Sequence, residues 1–406
     1  MYHSRVGVIL LLAVRGLRQY SFSTVVAVLA IALAGGLFLG TWKIKEEAKN
    51  AFSRSAGGFD AVLGARGSKL QLVLNGLFHL EASTGNLSWE QYEIIRGTRG
   101  VSEAYPIAVG DNYLGYRLVG TLSEMFYKHE WRKDRKYKVL PSGRIFSDNA
   151  KEALVGNFVA RKLGLKVGDK FHPYHGLTFR EDQKHNDIYV VVGVLGATGT
   201  PADKVIWIPI KGIQLMEGHD PQTATDLSAV LLNLKGSAGF MLDMKYNKRG
   251  KTATLAWPVA GTLASFFERL VWFQRVLEVV AYLVAFVAAC VILAILRNAL
   301  NERRREIAIL RSLGAGRFTV TSVVLAQAGL ISFLGVLGAF VAYLGIGWIA
   351  ASVVHEQTGV LIEPFAYGSV FIYLPVGMLA VGFCSGLLPA LQAYRSDVAG
   401  NLTPIS

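Results

Sequence analysis

The chain has 406 residues, of which 52% are hydrophobic and only 17% are charged. Soluble domains usually carry about a quarter charged residues, so this deficit argues against an ordinary soluble protein and indicates a membrane protein. The formal net charge is +13, but much of the arginine flanks apolar runs, as orientation signals do. This placement argues against a nucleic-acid partner.

The chain begins with an apolar segment that is too short to cross a bilayer. Residues 1–20 include Arg5, Arg15 and Arg18, which on a helix fall within an arc of roughly 140°. This pattern predicts a helix that lies in the cytoplasmic interface, with its arginines toward the lipid headgroups.

Four stretches have the roughly 20 apolar residues that a membrane-spanning helix needs. We assign them to residues 21–42, 275–297, 320–350 and 369–392. The first could instead be a cleaved signal peptide, but the leader before it is about 20 residues long, which favours an uncleaved anchor. The third is long enough to tilt or to project beyond the bilayer.

Arginine is distributed unevenly among the segments outside the four spans. The segment 351–368, which we predict to be a periplasmic loop, has no Lys or Arg, whereas the segment 298–319 and its flank are rich in arginine. The positive-inside rule therefore places both termini, segment 298–319 and the tail 393–406 in the cytoplasm. The arginines that carry this orientation, besides the three near the N-terminus, are Arg297, Arg303, Arg304, Arg305, Arg311, Arg317 and Arg395.

Small residues recur at four-residue spacing in the first and fourth spans. They are Ala32, Gly36 and Gly40 in the first, and Gly382 and Gly386 in the fourth. Such stripes let transmembrane helices approach closely, so we predict helix-packing faces there.

Residues 43–270 read as a folded domain between the first two spans. Runs at 152–155, 188–195 and 205–210 are strand-like, and 156–163 reads as a short helix that Gly164 can end. Ser88 with Gln91 predicts a capping box at a further helix. The predicted fold is membrane α-helical, with four transmembrane helices and a mixed α+β extracytoplasmic domain inserted between helices 1 and 2.

The sequence shows no readable catalytic constellation, so we predict no catalytic residues and no cofactor in this chain. Histidines cluster in the most polar stretch of the domain, at His172, His175 and His185. Histidine is a common metal ligand. The spacings match no ligand template, however, so these three are only candidate metal ligands and a polar loop is the alternative.

The segment 298–319 reads as a short charged helix with an apolar face. Good helix formers run to Leu313, and Gly314 can end the helix. A helix of this kind at the cytoplasmic end of a span suits docking into a soluble partner, and a solvated positive loop is the alternative. The candidate contact residues are Arg305, Glu306, Ile307, Leu310, Arg311, Leu313 and Gly314.

Residues 306–315, EIAILRSLGA, resemble a signature of the MacB/FtsX-like permeases of ABC transporters. The stretches LVGNFVARKLGLKVGDK and YVVVGVLGATGTPADKVIWIPI resemble the periplasmic core domain of that family. The layout of one span, a domain and three spans agrees, as does GLLPALQAYRSD near the end.

This resemblance implies a bacterial inner-membrane protein that works as a homodimer or pseudo-dimer of permeases. It also implies a separate ABC ATP-binding subunit, which would bind ATP and Mg²⁺, because this chain has no Gly-x-x-x-x-Gly-Lys-Ser/Thr motif. ATP hydrolysis by that subunit would move the helices and the domain 43–270, and so drive export or extraction of a periplasmic or membrane substrate.

Two other functions stay open at the level of the sequence. One is a signalling or scaffold subunit that activates a periplasmic or lipoprotein partner without transport. The other is a component of a zinc-handling system that uses the histidine cluster.

Overall fold

The structure is a computed structural model that describes residues 2–216, 225–250, 252–302, 304–312, 315–363, 365 and 368–395. The chain divides into two compact units. The membrane unit comprises Met1–Glu46, Val271–Ala350 and Pro364–Ser406. The α/β unit comprises Glu47–Leu270 and Ala351–Glu363.

Helices account for nearly all the described residues of the membrane unit, and shorter helices surround the sheet of the α/β unit. Within the described residues they are α1 Tyr2–Gln19, α2 Ser21–Arg54, α3 Lys69–Gly76, α4 Trp89–Arg96, α5 Glu124–Lys128, α6 Asn157–Leu163, α7 Ile210–Gln214, α8 Ala238–Asp243, α9 Val259–Arg269, α10 Val271–Glu302, α11 Arg304–Ser312, α12 Arg317–Thr358 and α13 Val370–Arg395.

The strands all lie in the α/β unit. They are β1 Ala61–Ala65, β2 Val101–Tyr113, β3 Tyr116–Thr121, β4 Glu130–Arg132, β5 Arg135–Lys136, β6 Glu152–Val155, β7 Lys170–Phe171, β8 Tyr174–His175, β9 Tyr189–Val194, β10 Ile206–Pro209, β11 Ala229–Leu234 and β12 Ala253–Ala256.

The membrane unit contains the apolar helices that the sequence predicts. Among the described residues, four helical stretches are long and apolar enough to cross a bilayer, Ser21–Arg54, Val259–Glu302, Arg317–Thr358 and Val370–Gln392. They contain the first three predicted spans in full, and the fourth from one residue after its predicted start. α2 and α12 have 34 and 42 residues, more than the roughly 20 that a bilayer requires, and each has residues in both units.

The α/β unit is built on one ten-stranded sheet with the order β12-β1-β11-β2-β3-β10-β6-β9-β7, and β8 pairs with β2 outside this path. Most pairs are antiparallel, but β10 with β3 and β6 with β9 are parallel. β4 and β5 form a separate hairpin. The sheet is mixed, in agreement with the predicted α+β character.

Both faces of this sheet are buried. In β1, Ala61 and Leu63 belong to one apolar cluster, whereas Val62 belongs to a second cluster. This alternation follows from the period of two in a strand, and a strand that is covered on both sides reads as a continuous apolar run. The first cluster includes residues of α4, α6 and α7, and the second includes residues of α3, α5 and α9.

The local elements predicted in the domain are confirmed. β6, β9 and β10 fall on the three predicted strand runs, and α6 begins one residue after the predicted start. Gly164 ends α6 in the left-handed region at φ 68°. Ser88 caps α4, with Gln91 completing the predicted capping box.

Candidate functional site

The short helix α11 carries the residues predicted to contact an ATP-binding subunit. Ala308 is buried, and Ile307 packs against an apolar cluster formed by α2, α10, α12 and α13. Ile309 faces outward with 45% of its surface exposed, and Arg311 is half-buried. The apolar face that was predicted to dock a partner is therefore partly covered by contacts within the chain. Among the described side chains of α11, Ile309 is the exposed apolar one.

The other predicted contact residues of this segment are only partly described. The helix α11 includes Arg305, Glu306 and Leu310, but the structure does not describe their side chains. Leu313 and Gly314 lie outside the described residues. Their roles stay predictions.

The predicted packing residues of α2 lie against α12. A Cβ atom added at Gly36 would lie 2.6 Å from the Ala342 Cβ atom, and one added at Gly40 would lie 3.1 Å from Ile346 Cγ2. One added at Gly338 would lie 2.8 Å from the Cβ atom of Ala32. The stripe on α2 thus meets a second stripe at four-residue spacing on α12, formed by residues 338, 342 and 346, which the sequence analysis missed.

The predicted packing residues of α13 also lie against α12. A Cβ atom at Gly386 would lie 2.6 Å from that of Ala328. One at Gly382 would overlap the Ser332 side chain. α12 therefore packs through small residues against α2 and against α13, at positions where only a very small side chain fits.

An apolar cleft lies between α2, α10 and α13 within the membrane unit. Its volume is about 230 Å³, and its lining includes Phe38, Ala285, Ala289, Leu374 and Gly377. A lining of this composition suits hydrocarbon chains and offers little to a polar ligand.

The C-terminal end of α12 and the residues after it belong to the α/β unit. Glu356 accepts a hydrogen bond from Lys162 at 2.6 Å, and this bond lowers the pKa of the Glu356 carboxyl. Lys204 donates to the carbonyl of Gln357, and the amide of Leu361 donates to the carbonyl of Gly199 at 3.4 Å. Val360 is fully buried in the core of the α/β unit. The segment Ala351–Glu363 is therefore packed into the domain.

The loop that receives this segment is held by a buried carboxylate. Asp203 accepts hydrogen bonds from the amides of Thr198 and Gly199 at 2.8 Å and from the Thr198 hydroxyl at 2.8 Å. Burial nevertheless raises the pKa of the Asp203 carboxyl. Asp203 thus fixes the loop whose Gly199 carbonyl binds the amide of Leu361.

Two of the three candidate histidines come together with a carboxylate that the sequence analysis missed. His185 Nε2 lies 3.2 Å from Asp111 Oδ1, and His175 Nδ1 lies 3.5 Å from the same oxygen. His172 stays outside this group, because its Nδ1 atom lies 3.2 Å from the carbonyl of His185. Asp111 is 64 residues before His175 in the chain, so only the pairing of β2 with β8 reveals it.

Comparison with known proteins agrees with this architecture. Residues 24–238 match the MacB-like periplasmic core domain, and residues 278–398 match the FtsX-like permease C-terminal family. The chain is 29% identical over 195 residues to the lipoprotein-releasing system transmembrane protein LolC of Neisseria meningitidis. That match covers 44% of this chain and 43% of the relative's length.

Two solved domains are similar to the α/β unit at low identity. The periplasmic region of MacB from Actinobacillus actinomycetemcomitans is 10% identical with a TM-score of 0.33, covering 52% of this chain and 94% of that one. The extracellular domain of the noncanonic ABC-type transporter YknZ from Gram-positive bacteria is 18% identical with a TM-score of 0.29, covering 48% and 97%.

The four apolar helices and the inserted domain define a multi-pass membrane protein with a periplasmic domain. The two family matches together cover most of the chain, and the periplasmic core alone covers more than half. The chain belongs to the MacB/FtsX-like permease family of ABC transporters.

Proposed function

We propose that this chain is the permease subunit of an ABC transporter and couples ATP hydrolysis by a separate subunit to motion of its periplasmic domain. The observation that carries the proposal is α11, a short helix between two membrane helices that exposes Ile309 and leaves Arg311 half-buried. An exposed apolar side chain and an arginine on one short helix suit a surface that binds a soluble partner.

The membrane helix that follows α11 supports transmission to the domain. α12 begins at Arg317 and continues without a break to Thr358, and its last residues are packed in the α/β unit. A displacement of α11 would act on the first turns of α12, and a continuous helix carries displacement along its axis with little loss.

The cleft between α2, α10 and α13 supports a substrate with a hydrocarbon part. Its apolar lining would accept an acyl chain, and the related LolC of Neisseria meningitidis is a lipoprotein-releasing system protein by name. We infer that the substrate is extracted from the membrane or exported on its periplasmic side. Because the homologous segment spans 43% of that relative, the similarity alone does not give the substrate.

The proposal requires that α11 lie in the cytoplasm with both chain termini. Arginine dominates the segments around α11, and this bias supports a cytoplasmic location for them. A dimer of permeases in the bacterial inner membrane, with ATP and Mg²⁺ bound by two copies of the ATP-binding subunit, completes the proposed assembly.

Single cysteines test the docking and the orientation together. In a background with Cys290→Ser and Cys384→Ser, Ile309→Cys reports on α11, and Glu90→Cys reports on an exposed position of the α/β unit. A membrane-impermeant maleimide should label Glu90→Cys in spheroplasts, but label Ile309→Cys only after permeabilisation. In permeabilised membranes, Ile309→Cys should crosslink to the ATP-binding subunit and Glu90→Cys should not.

The opposite labelling pattern would reverse the orientation and exclude α11 as the docking site. Correct labelling without any crosslink from Ile309→Cys would retain the orientation but reject α11 as the contact.

A further inference from the structure

We propose that Asp111, His175 and His185 form a binding site for one divalent transition-metal ion of the zinc class. They are the group of three ligand-type side chains that the described residues bring together, with one donor atom from each lying within 4.8 Å of the others. The proposal goes beyond the permease function, which does not require a metal in this chain.

The donor spacings fit a metal ion. Zinc binds imidazole nitrogen and carboxylate oxygen at about 2.0–2.2 Å, so two ligand atoms of a tetrahedral site lie about 3.3–3.5 Å apart. The Asp111 Oδ1 atom lies 3.2 Å from His185 Nε2 and 3.5 Å from His175 Nδ1. The two imidazole nitrogens lie within 4.8 Å of each other, so a bound ion would draw His175 and His185 together around Asp111.

The backbone fixes all three residues. Between Val109 and Asn112 the register of β2 against β3 shifts, so that three steps along β2 match two along β3. A bulge of this kind re-aims side chains, and here it contains Asp111. His175 stands directly opposite Asp111 in the antiparallel β2–β8 pair. The amide of His185 donates to the carbonyl of Pro173 at 2.9 Å.

Neighbouring polar groups hold this arrangement in place. The side-chain amide of the buried Asn112 donates to the carbonyls of Tyr174 and Gly176, at 3.3 and 2.9 Å, and so holds β8 on both sides of His175. His172 Nδ1 contacts the His185 carbonyl. Outer contacts that orient the ligands are typical of metal sites.

Burial and exposure suit a site with an open position. Asp111 is fully buried and His185 is nearly so, whereas the His175 side chain is 53% exposed. A buried carboxylate is stabilised by a neighbouring cation. Three protein ligands leave one tetrahedral position for water or for a donor from another molecule. Two imidazoles with one carboxylate favour zinc-like ions over Mg²⁺ and Ca²⁺.

Metal titration of the full-length protein in detergent tests the site. The protein is purified without a polyhistidine tag, stripped with a chelator, and titrated with Zn²⁺ against a chromophoric chelator. The wild type should bind one Zn²⁺ per chain. His175→Ala removes an exposed ligand and should weaken binding at least about 100-fold, because even outer-shell partners contribute 10–100-fold.

His172→Ala is the graded comparison, since it removes an outer contact of His185 and no ligand. It should weaken binding by about tenfold, which is less than the loss expected for His175→Ala. Co²⁺ added to the wild type should give the visible absorption of a four-coordinate site, and His175→Ala should lose that absorption.

Three results would overturn the assignment. They are no stoichiometric Zn²⁺ in the wild type, equal affinity in His175→Ala, or an equal loss in His172→Ala and His175→Ala. The first two would leave the cluster as hydrogen-bonded histidines around a buried carboxylate. The last would place the effect in the fold of the segment.

Discussion

His79 is a buried histidine of the α/β unit, held at φ 54° with its ring nearly perpendicular to that of Trp207. Burial, and then the nearby Arg117 guanidinium, lower the pKa of His79 to about 3 from the ordinary value of 6.5. Arg117 itself donates to the carbonyls of Leu80 and Glu81. The imidazole is therefore neutral in the folded domain above about pH 3.

This residue makes the domain sensitive to acid. Its folded pKa lies below its unfolded value, so the unfolded chain binds the extra proton between about pH 6.5 and 3, and stability falls as the pH falls through that range. Between pH 7 and 5 the loss from His79 should be about 2 kcal/mol. His79→Asn keeps a residue that tolerates positive φ and removes the titration.

The measurement is the free energy of unfolding of the wild type and of His79→Asn at pH 7 and pH 5, with unfolding monitored by tryptophan fluorescence. Between pH 7 and pH 5, the free energy of unfolding of the wild type should fall by about 2 kcal/mol more than that of the variant. Parallel pH dependence in the two proteins would show that His79 is not the acid-sensitive group.

Single residues were predictable from the sequence where their role is local. Ser88, Gln91 and Gly164 act through neighbours a few positions away, and the structure confirms their caps. Asp111 was not predictable, because its closeness to His175 depends on strand pairing across 64 residues and on a bulge that no local pattern marks. The strain at His79 and its pairing with Trp207 arise in the same way from tertiary packing.

At the scale of elements, the central feature of the membrane unit is α12 packed between small-residue stripes of α2 and α13. A Cβ atom added at Gly36 would lie 2.6 Å from the Ala342 Cβ atom and 3.2 Å from the Ala339 carbonyl oxygen. Neither atom can move aside like the end of a long side chain. The helix contact therefore depends on the absence of a side chain at that position.

Gly36→Leu should weaken this contact. Overpacking of a tight interior typically costs about 1–3 kcal/mol, and the variant should unfold at a lower temperature in detergent. Gly345→Leu is the control, since nothing lies within 4 Å of a Cβ atom there and the position is exposed on α12. The thermal unfolding midpoint is the readout, and equal midpoints for the two variants would contradict the packing role.

Elements were predictable in proportion to the strength of their periodic signal. The four spans follow from apolar length alone, and β6, β9 and β10 from short strand-like runs, of which the last two are rich in β-branched residues. The order of the ten-stranded sheet could not be derived, because it joins strands far apart in the chain, such as β1 with β12. The extension of α12 to Thr358 was also missed, since its last turn, residues 355–358, is polar and is stabilised by contacts within the α/β unit.

At the scale of the whole molecule, each of the two units is built from separate stretches of the chain. The sequence analysis treats 351–368 as a loop between spans, whereas the structure groups Ala351–Glu363 with the α/β unit. Burial of Val360 and Ile362 explains this grouping. Composition could not show it, because two apolar residues after a helix do not indicate where they pack.

The central claim is that this permease works through a separate ATP-binding subunit that docks at α11. Mild-detergent purification of the tagged protein, with mass spectrometry and an ATPase assay, tests it most directly when wild type and Arg311→Glu are compared. Arg161→Glu, a charge reversal at an exposed position of α6, is the control for general effects of charge.

We predict that an ATP-binding subunit co-purifies with the wild type and with Arg161→Glu, and that the complex hydrolyses ATP. The Arg311→Glu variant should insert normally in the membrane. The amount of co-purified ATP-binding subunit and the ATPase activity should both fall about fivefold, as expected for the loss of roughly 1 kcal/mol at a charged contact. Absence of any ATP-binding subunit, or undiminished coupling in Arg311→Glu, would contradict the account.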